Sequence, residues 1–307
     1  MEKRRQQSWT QITQMTQIDA DQKRTFWWVR SDAPFFVALG VIGATYILLI
    51  AAMLVADVGY TTPRDMAGAL GSEQIRYAIK LSLISCTITA VLSVIVGVPL
   101  GYLLSSRGEV EGGRRGSGGR VLWFLRVAAD AIVDIPIVLP PLVIGLSLLI
   151  LFQTAPGRWI QQYVSVTYAI PAVILAQFSV AAAFAVRTMR VTFDQISPRS
   201  EQVAMTLGCS RSQAFWRVAI PEGWHGILTA GTIAWARAMG EFGPILVFAG
   251  ATRMRTEVLP TTVFLELSVG KLESAVAVSL IMVLAAMVVL LIVRLAGGDP
   301  LGRMARA

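Results

Sequence analysis

The segment EQVAMTLGCSRSQAFWRVAIP, residues 201–221, is polar in a chain that is otherwise mostly apolar. Ser197 and Pro198 stand just before it, and serine followed by proline is typical of a helix start. Ser210, with a glutamine three residues later, has the spacing of a second helix start, the capping box. Gly208 lies between the two signals, where a glycine commonly ends a helix. The sequence therefore predicts two short helices joined at a glycine and flanked by long apolar runs.

The composition places these runs in a membrane. The chain has 307 residues, of which 55% are hydrophobic and 15% charged, too apolar for an ordinary soluble fold of this length. A bilayer core of about 30 Å is crossed by about 20 helical residues. Six runs of that length predict an all-α polytopic membrane protein with six transmembrane helices: residues 33–55, 77–104, 132–152, 168–186, 225–250 and 275–293.

The basic residues predict the orientation. Most of the 27 lysines and arginines fall in an N-terminal arm at residues 1–32, in the loops after helices two and four, and in a tail at residues 296–307. By the positive-inside rule, both termini and the segment 201–221 face the cytoplasm. The net charge of +8 is dispersed over separate loops, which argues against nucleic-acid binding. We expect one transmembrane domain, residues 33–295, with a cytoplasmic polar loop at residues 195–221 between helices four and five.

Residues suited to catalysis are scarce. The chain lacks the GxxxxGK pattern followed by Ser or Thr that cradles a nucleotide phosphate, and it has a single histidine, His225. Cys86 and Cys209 are expected in different environments, so no disulfide is predicted. Asp130 and Asp134, four residues apart, could suggest an intramembrane aspartyl protease, but no second distant carboxylate motif accompanies them. We therefore expect no catalytic, cofactor-binding or metal site in this chain.

The polar loop resembles the coupling motif of ABC importer permeases, in which EAA is followed after three residues by Gly and after nine more by Ile-x-Leu-Pro. Gln replaces the acidic residue of the motif, and Val replaces the first Ala. At the second half, Val and Ile stand where the motif has Ile and Leu. The residues that match or flank the motif are Glu201, Gln202, Val203, Ala204, Gly208, Val218 and Pro221. Glu201 would point about 100° away from the motif position on a helix.

Two further stretches extend this resemblance, which covers residues 75 to 295. DIPIVLPPLVIGLSLLILF, residues 134–152, and WARAMGEFGPILVFAGATRMRTEVLPTTVFLEL, residues 235–267, are similar to the permeases for molybdate, tungstate and sulfate. The resemblance implies a permease subunit in the inner membrane that moves an oxyanion by alternating access. Molybdate or tungstate ranks above sulfate or thiosulfate. A secondary transporter is the alternative class, and would need intramembrane ionisable residues for ion coupling.

The resemblance also implies the partners. The helix that contains residues 201–207 would dock in a cleft of a cytoplasmic ATPase subunit, which binds the ATP and Mg²⁺, and an external binding protein would deliver the anion. Gly208 would supply a turn with positive φ. We expect a permease homodimer whose interface in the membrane uses small residues, as in Ala181-Ala182-Ala183 and Ala230-Gly231. Arg253 and Arg255 on the outer side would meet the binding protein or ease entry of the anion.

Five residues are candidates for the translocation path. Arg237 and Glu241 lie four apart on one helical face. They either form an ion pair that braces helix five or touch the passing anion, with Arg237 as the contact. Pro140, Pro141 and Gly145 bend helix three. Such a bend is either a packing device or part of a substrate path, since broken helices at membrane depth line cavities.

Overall fold

The structure, a computed structural model, describes residues 33–105 and 117–296. The predicted arm at residues 1–32 and all but the first residue of the predicted tail lie outside the described residues. Every regular element in the described part of the chain is helical, which confirms the all-α prediction. Residues up to Gly59 and residues from Tyr60 onward form two separate compact units. The first contains helix α1, Ala33–Tyr60, except for its last residue, and this helix is mostly apolar.

The second unit contains the remaining helices. They are α2 (Pro63–Gly71), α3 (Glu73–Leu104), α4 (Ser117–Val138), α5 (Pro141–Gln153), α6 (Ala155–Tyr163), α7 (Ile170–Gln195), α8 (Pro198–Thr206), α9 (Arg211–Ala214), α10 (Ile220–Glu222), α11 (Trp224–Met239), α12 (Gly243–Phe248), α13 (Leu259–Ser268) and α14 (Leu272–Ala296). A π-helical turn, Phe215–Ala219, joins α9 to α10.

Four of the described helices, α1, α3, α7 and α14, are long and apolar enough to cross a membrane. The pair α4 and α5 would make a fifth span, but the two helices are bent by 115° where they meet. The predicted third span, residues 132–152, is therefore not one continuous helix. The bend falls at Pro140 and Pro141, because a proline has no N–H to continue the helical hydrogen bonds.

The predicted fifth span, residues 225–250, is also divided. α11 has 16 residues and ends at Met239, and α12 begins at Gly243 after a short break. Neither part reaches the length of about 20 residues that crosses a bilayer. Pro244 at the start of α12 cannot donate a backbone hydrogen bond to the preceding turn, which accounts for the break. The prediction of six continuous spans is thus not confirmed.

Helices α3, α7 and α11 pack together at the centre of the second unit. Their approach is close because small residues face one another. A Cβ added at Gly101 of α3 would lie 2.6 Å from the Cβ of Met189 and 2.8 Å from the backbone nitrogen of Arg190. The backbones of α3 and α7 therefore touch where α3 ends.

The small residues predicted for an interface between two chains lie elsewhere. Ala181, Ala183 and Ala230 are buried within the single chain, with 0%, 5% and 0% of their surface exposed. Ala181 and Ala230 belong to the core that α3, α7 and α11 share. For these three alanines the prediction was wrong. Their small size lets the helices approach closely inside the chain, for the same reason that small residues suit an interface between two chains.

Candidate functional site

The polar loop folds as two short helices, as predicted. Ser197 caps α8, and its hydroxyl accepts the backbone N–H of Arg199 at 3.4 Å. Ser210 caps α9 in a capping box, in which the Gln213 side chain accepts the Ser210 N–H at 2.9 Å. Between them Gly208 has a φ of +92°, the left-handed conformation that the glycine was expected to supply. The angle between α8 and α9 thus depends on a residue without a Cβ.

The outer surface of α8 is partly apolar. Val203 is 56% exposed, Met205 37% and Leu207, the residue that caps the helix, 80%. Gln202, which stands at the acidic position of the motif, is also exposed. Exposed apolar side chains on a polar loop mark a surface for protein contact when they lie together. Within the described residues, this surface is open to a partner.

Glu201 lies on the other side of α8 from Val203. It is the buried residue of α8, and its carboxylate Oε2 accepts a hydrogen bond from the Tyr102 hydroxyl at 2.8 Å. Tyr102 lies near the end of α3, almost a hundred positions earlier in the chain, and sequence reasoning missed it. No local spacing links two residues so far apart, so only their packing identifies the pair.

The second half of the motif forms the π-helical turn and α10. Val218 lies in the turn and is half-buried, while Pro221 lies in α10 and is exposed. The backbone N–H of Ile220 donates a hydrogen bond to the carbonyl of Phe215, five residues earlier. Pro221 has no N–H to offer the carbonyl of Arg217, which removes an α-helical bond where the turn widens.

The two breaks in the predicted spans touch each other. A Cβ added at Gly145 of α5 would lie 2.8 Å from the Cα of Pro244 and 2.9 Å from its carbonyl oxygen. A Cβ added at Gly243 would lie 3.1 Å from the backbone nitrogen of Leu142 and 3.2 Å from the Cβ of Pro141. The start of α5 therefore packs directly on the start of α12.

Arg237 and Glu241 form the predicted ion pair. Arg237 Nη2 lies 2.7 Å from Glu241 Oε1, and the side chains are 33% and 1% exposed. The N–H bonds are not aimed at the oxygen, so the contact is an ion pair without hydrogen-bond geometry. The guanidinium also lies 5.6 Å from the centre of the Phe184 ring, a cation–π distance. No described ion pair joins Arg237 or Glu241 to the bend between α4 and α5.

Two ion pairs join α4 to α7. Asp134 receives a bidentate contact from Arg187, with Nε to Oδ1 at 2.6 Å, and Asp130 pairs with Arg190. The two aspartates stand out in the sequence, but their arginine partners were not predicted. A signal was present, because aspartates four apart and arginines three apart each place two charges on one helical face. Each aspartate is neutralised by an arginine, which leaves no pair of carboxylates for protease chemistry.

Arg253 and Arg255, predicted for an outer loop, differ in their contacts. Arg253 is bound within the chain, by a hydrogen bond to Gln74 and an ion pair to Glu266 at 2.8 Å. Arg255 is exposed. Next to them, burial raises the pKa of the Glu257 carboxyl above its usual range.

Among the side chains that the structure describes, no three His, Cys, Asp or Glu residues are grouped to hold a metal ion.

Residues 117–297 match the family of binding-protein-dependent transport system inner membrane components. The match spans more than half of the chain and contains both the polar loop and the two breaks. The chain belongs to this family. It is an ABC transporter permease, a multi-pass membrane protein whose relatives are transport subunits and not enzymes.

Curated relatives agree with this assignment. The permease is 32% identical over 265 residues to the molybdenum transport system permease protein ModB of Mycobacterium tuberculosis, covering 85% of this chain and 94% of the relative. It is 28% identical over 222 residues to the sulfate transport system permease protein CysT of Escherichia coli, covering 71% and 75%. One relative is named for the transport of molybdenum and the other for the transport of sulfate.

Solved structures support the fold. A chain of the bacterial alginate ABC transporter, determined in complex with a periplasmic protein that carries an alginate pentasaccharide, superposes with a TM-score of 0.65. The similarity covers 85% of this permease and 93% of that chain, at 17% sequence identity. At this identity the similarity concerns the fold alone.

The contact between α5 and α12 gives a first prediction. Replacing Gly145 with alanine is expected to destabilise the permease by about 1 to 3 kcal/mol, because the added Cβ meets backbone atoms of Pro244 that cannot rotate away. Thermal unfolding in detergent measures the change. Gly231→Ala is the matched control, since its Cβ would meet Val94 at 3.4 Å, an ordinary contact. Equal stability of the two variants would contradict the prediction.

Proposed function

We propose that this permease forms the translocation path of an ATP-driven importer for a tetrahedral oxyanion, as a homodimer that works by alternating access. The observation that carries the proposal is the geometry of the polar loop. α8 exposes Val203 and Met205, its C-cap residue Leu207 is 80% exposed, and the helix is turned from α9 at Gly208. A loop that only joined two membrane helices would need few residues. Two capped helices with an exposed apolar surface support a docking role.

The proposed partners follow from the same loop. A cytoplasmic ATPase subunit would contact the exposed motif residues Gln202, Val203, Gly208 and Pro221, and would itself bind ATP and Mg²⁺. A binding protein on the outer side would deliver the anion. This partner is supported by the family description, which names binding-protein-dependent transport. Membership of that family also disfavours the secondary transporter considered from the sequence.

The path is proposed to pass the two breaks. In this arrangement α4 with α5 and α11 with α12 act as two broken spans, which with α1, α3, α7 and α14 gives six crossings. The candidates Pro140, Pro141, Gly145, Arg237 and Glu241 lie at these breaks. A dianion there would be held weakly by backbone groups and hydroxyls, because a path that binds its ion tightly also retains it.

Molybdate or tungstate is the proposed substrate, ahead of sulfate or thiosulfate. The ranking rests on the segment RAMGEFGPILVFAG and on the 32% identity to the molybdenum permease, against 28% for the sulfate permease. Sulfate stays the second candidate because that relative is also similar.

The test uses the binding protein and the assembled transporter. Calorimetry of the binding protein with molybdate, tungstate, sulfate and thiosulfate in turn is expected to give nanomolar affinity for the first two. Vesicles that contain the permease, the ATPase and the binding protein should then import the anions that the binding protein binds, and only when ATP is present. Tight binding of a sugar or an amino acid, with no response to any oxyanion, would contradict the substrate. Import without the ATPase would contradict the transporter class.

Labelling with a membrane-impermeant thiol reagent tests the topology. In a background without Cys86 and Cys209, cysteines placed at Ser117 and Ser212 are expected to react only from the cytoplasmic side, and one at Ser72 only from the outside. Ser212 is exposed on α9, so a lack of reaction would reflect its side of the membrane. Reaction of the Ser212 variant from the outside would contradict the proposal that the polar loop docks on a cytoplasmic ATPase.

A further inference from the structure

The C-terminal end of α3 meets the polar loop at Tyr102. The Tyr102 hydroxyl donates to the Glu201 carboxylate at 2.8 Å. The Tyr102 ring packs edge-on against Phe193 of α7, with ring centres 5.4 Å apart, and against Phe215 of the π-helical turn, at 4.8 Å. One side chain therefore contacts α7, α8 and the π-helical turn at the same time.

Glu201 is an unusual residue to bury in a short loop helix. The other residues of α8 are exposed or half-buried, so the buried contact of this helix is a carboxylate and not an apolar side chain. Burying a carboxylate is costly unless it is hydrogen-bonded. A hydroxyl-to-carboxylate bond is strong and directional, whereas apolar surfaces can slide over each other. The Tyr102–Glu201 bond therefore holds α8 in one position relative to α3.

The end of α3 is itself held firmly. Arg126 of α4 donates from Nε to the carbonyl of Leu103 at 2.9 Å and from Nη2 to the carbonyl of Ser105 at 2.7 Å. On the other side, Gly101 brings the α3 backbone against Met189 of α7. A force on Tyr102 is consequently passed to α4 and α7 as well as to α3.

We propose that the Tyr102–Glu201 hydrogen bond is the joint through which movement of α8 reaches the membrane helices. The proposal rests on the proposed function, in which an ATPase moves α8. Tyr102 and Glu201 are then positioning residues, and the exposed Gln202 is left to face the ATPase. The π-helical turn provides a second contact on the same ring through Phe215, so α8 and the turn act on one side chain of α3.

The test compares ATP hydrolysis with import in the reconstituted full transporter. Tyr102→Phe removes the hydroxyl and keeps the ring packing. The variant should still assemble with the ATPase and hydrolyse ATP within about twofold of the unchanged transporter, while the ATP consumed per imported anion rises about fivefold or more. The anion is whichever of molybdate, tungstate or sulfate the binding protein takes in calorimetry. Tyr163→Phe, on the 74% exposed Tyr163 of α6, is the matched control and should change nothing.

Variants of Glu201 separate this joint from general stability. Glu201→Gln keeps an oxygen that accepts the Tyr102 hydroxyl and should retain coupling, whereas Glu201→Leu should uncouple as Tyr102→Phe does. The double variant Tyr102→Phe with Glu201→Leu should be no worse than Glu201→Leu alone, because the Tyr102 hydroxyl would act through the bond that Glu201→Leu already removes.

Three results would overturn the joint. The first is an unchanged ratio of ATP consumed to anion imported in Tyr102→Phe and Glu201→Leu. The second is equal uncoupling by Glu201→Gln and Glu201→Leu. The third is loss of ATPase binding in Tyr102→Phe, which would make the bond part of the docking surface. Failure of the proposed function looks different, because the unchanged permease would then neither bind an ATPase nor import an anion.

Discussion

Replacing Gly208 with valine is expected to abolish most import while leaving the membrane helices folded. Gly208 has a φ of +92°, a conformation that costs a residue with a Cβ about 1 to 2 kcal/mol. A Cβ at this position would meet no atom within 4 Å, so the strain comes from the backbone torsion alone. The turn would relax and change the angle between α8 and α9. We expect co-purification of the ATPase to fall about five- to thirtyfold, since 1.4 kcal/mol corresponds to a factor of ten.

Two controls make the Gly208 result specific. Gly208→Asn should be nearly normal, because asparagine adopts positive φ more readily than other residues with a Cβ. Gly71→Val places the same side chain at a glycine that also has open space around it but lacks a positive φ. That variant should assemble and transport as the unchanged permease does. Normal import by Gly208→Val would show that the turn geometry is not used.

Replacing Arg237 with methionine is expected to destabilise the permease by about 2 to 3 kcal/mol. Glu241 is 1% exposed and would lose the cation that lies 2.7 Å from its carboxylate. An unpaired charge in such a position is costly, although the 33% exposure of the Arg237 side chain reduces the penalty. Thermal unfolding in detergent measures the loss. Arg255→Met, at an exposed arginine, is the matched control and should have little effect.

The double variant separates the two roles considered for Arg237. Arg237→Met with Glu241→Gln removes both charges, so most of the lost stability should return. If that double variant is stable and imports normally, the pair serves to brace α11 against the break that follows it. A stable double variant that imports poorly would instead assign Arg237 to the passing anion. A double variant no more stable than Arg237→Met would contradict the ion-pair interpretation.

The polar loop was the part of the fold that could be predicted best. Its helix starts at Ser197 and Ser210 depend on side chains that bond to backbone groups two or three residues away. The positive φ at Gly208 depends on the chemistry of one residue. Such features are determined within a few consecutive residues, so the sequence contains all that is needed to predict them.

The membrane spans were predicted only in part. Hydropathy indicates how long an apolar run is, and it identified the regions of α1, α3, α7 and α14. It does not indicate the direction of the chain after a proline. The bend of 115° between α4 and α5 and the break before Gly243 therefore altered the third and fifth predicted spans.

The sequence by itself determined the membrane class, the caps of α8 and α9, the turn at Gly208 and the four-residue spacing that allows Arg237 to pair with Glu241, since each depends on composition or on neighbours within one helical turn. Only the tertiary structure decided that Asp134 pairs with Arg187, that Tyr102 holds Glu201 and that Gly145 packs on Pro244. It also placed Ala181 and Ala230 inside the chain. These contacts join helices that are far apart in the chain, and their partners are selected by how whole helices pack, which no short stretch of residues specifies.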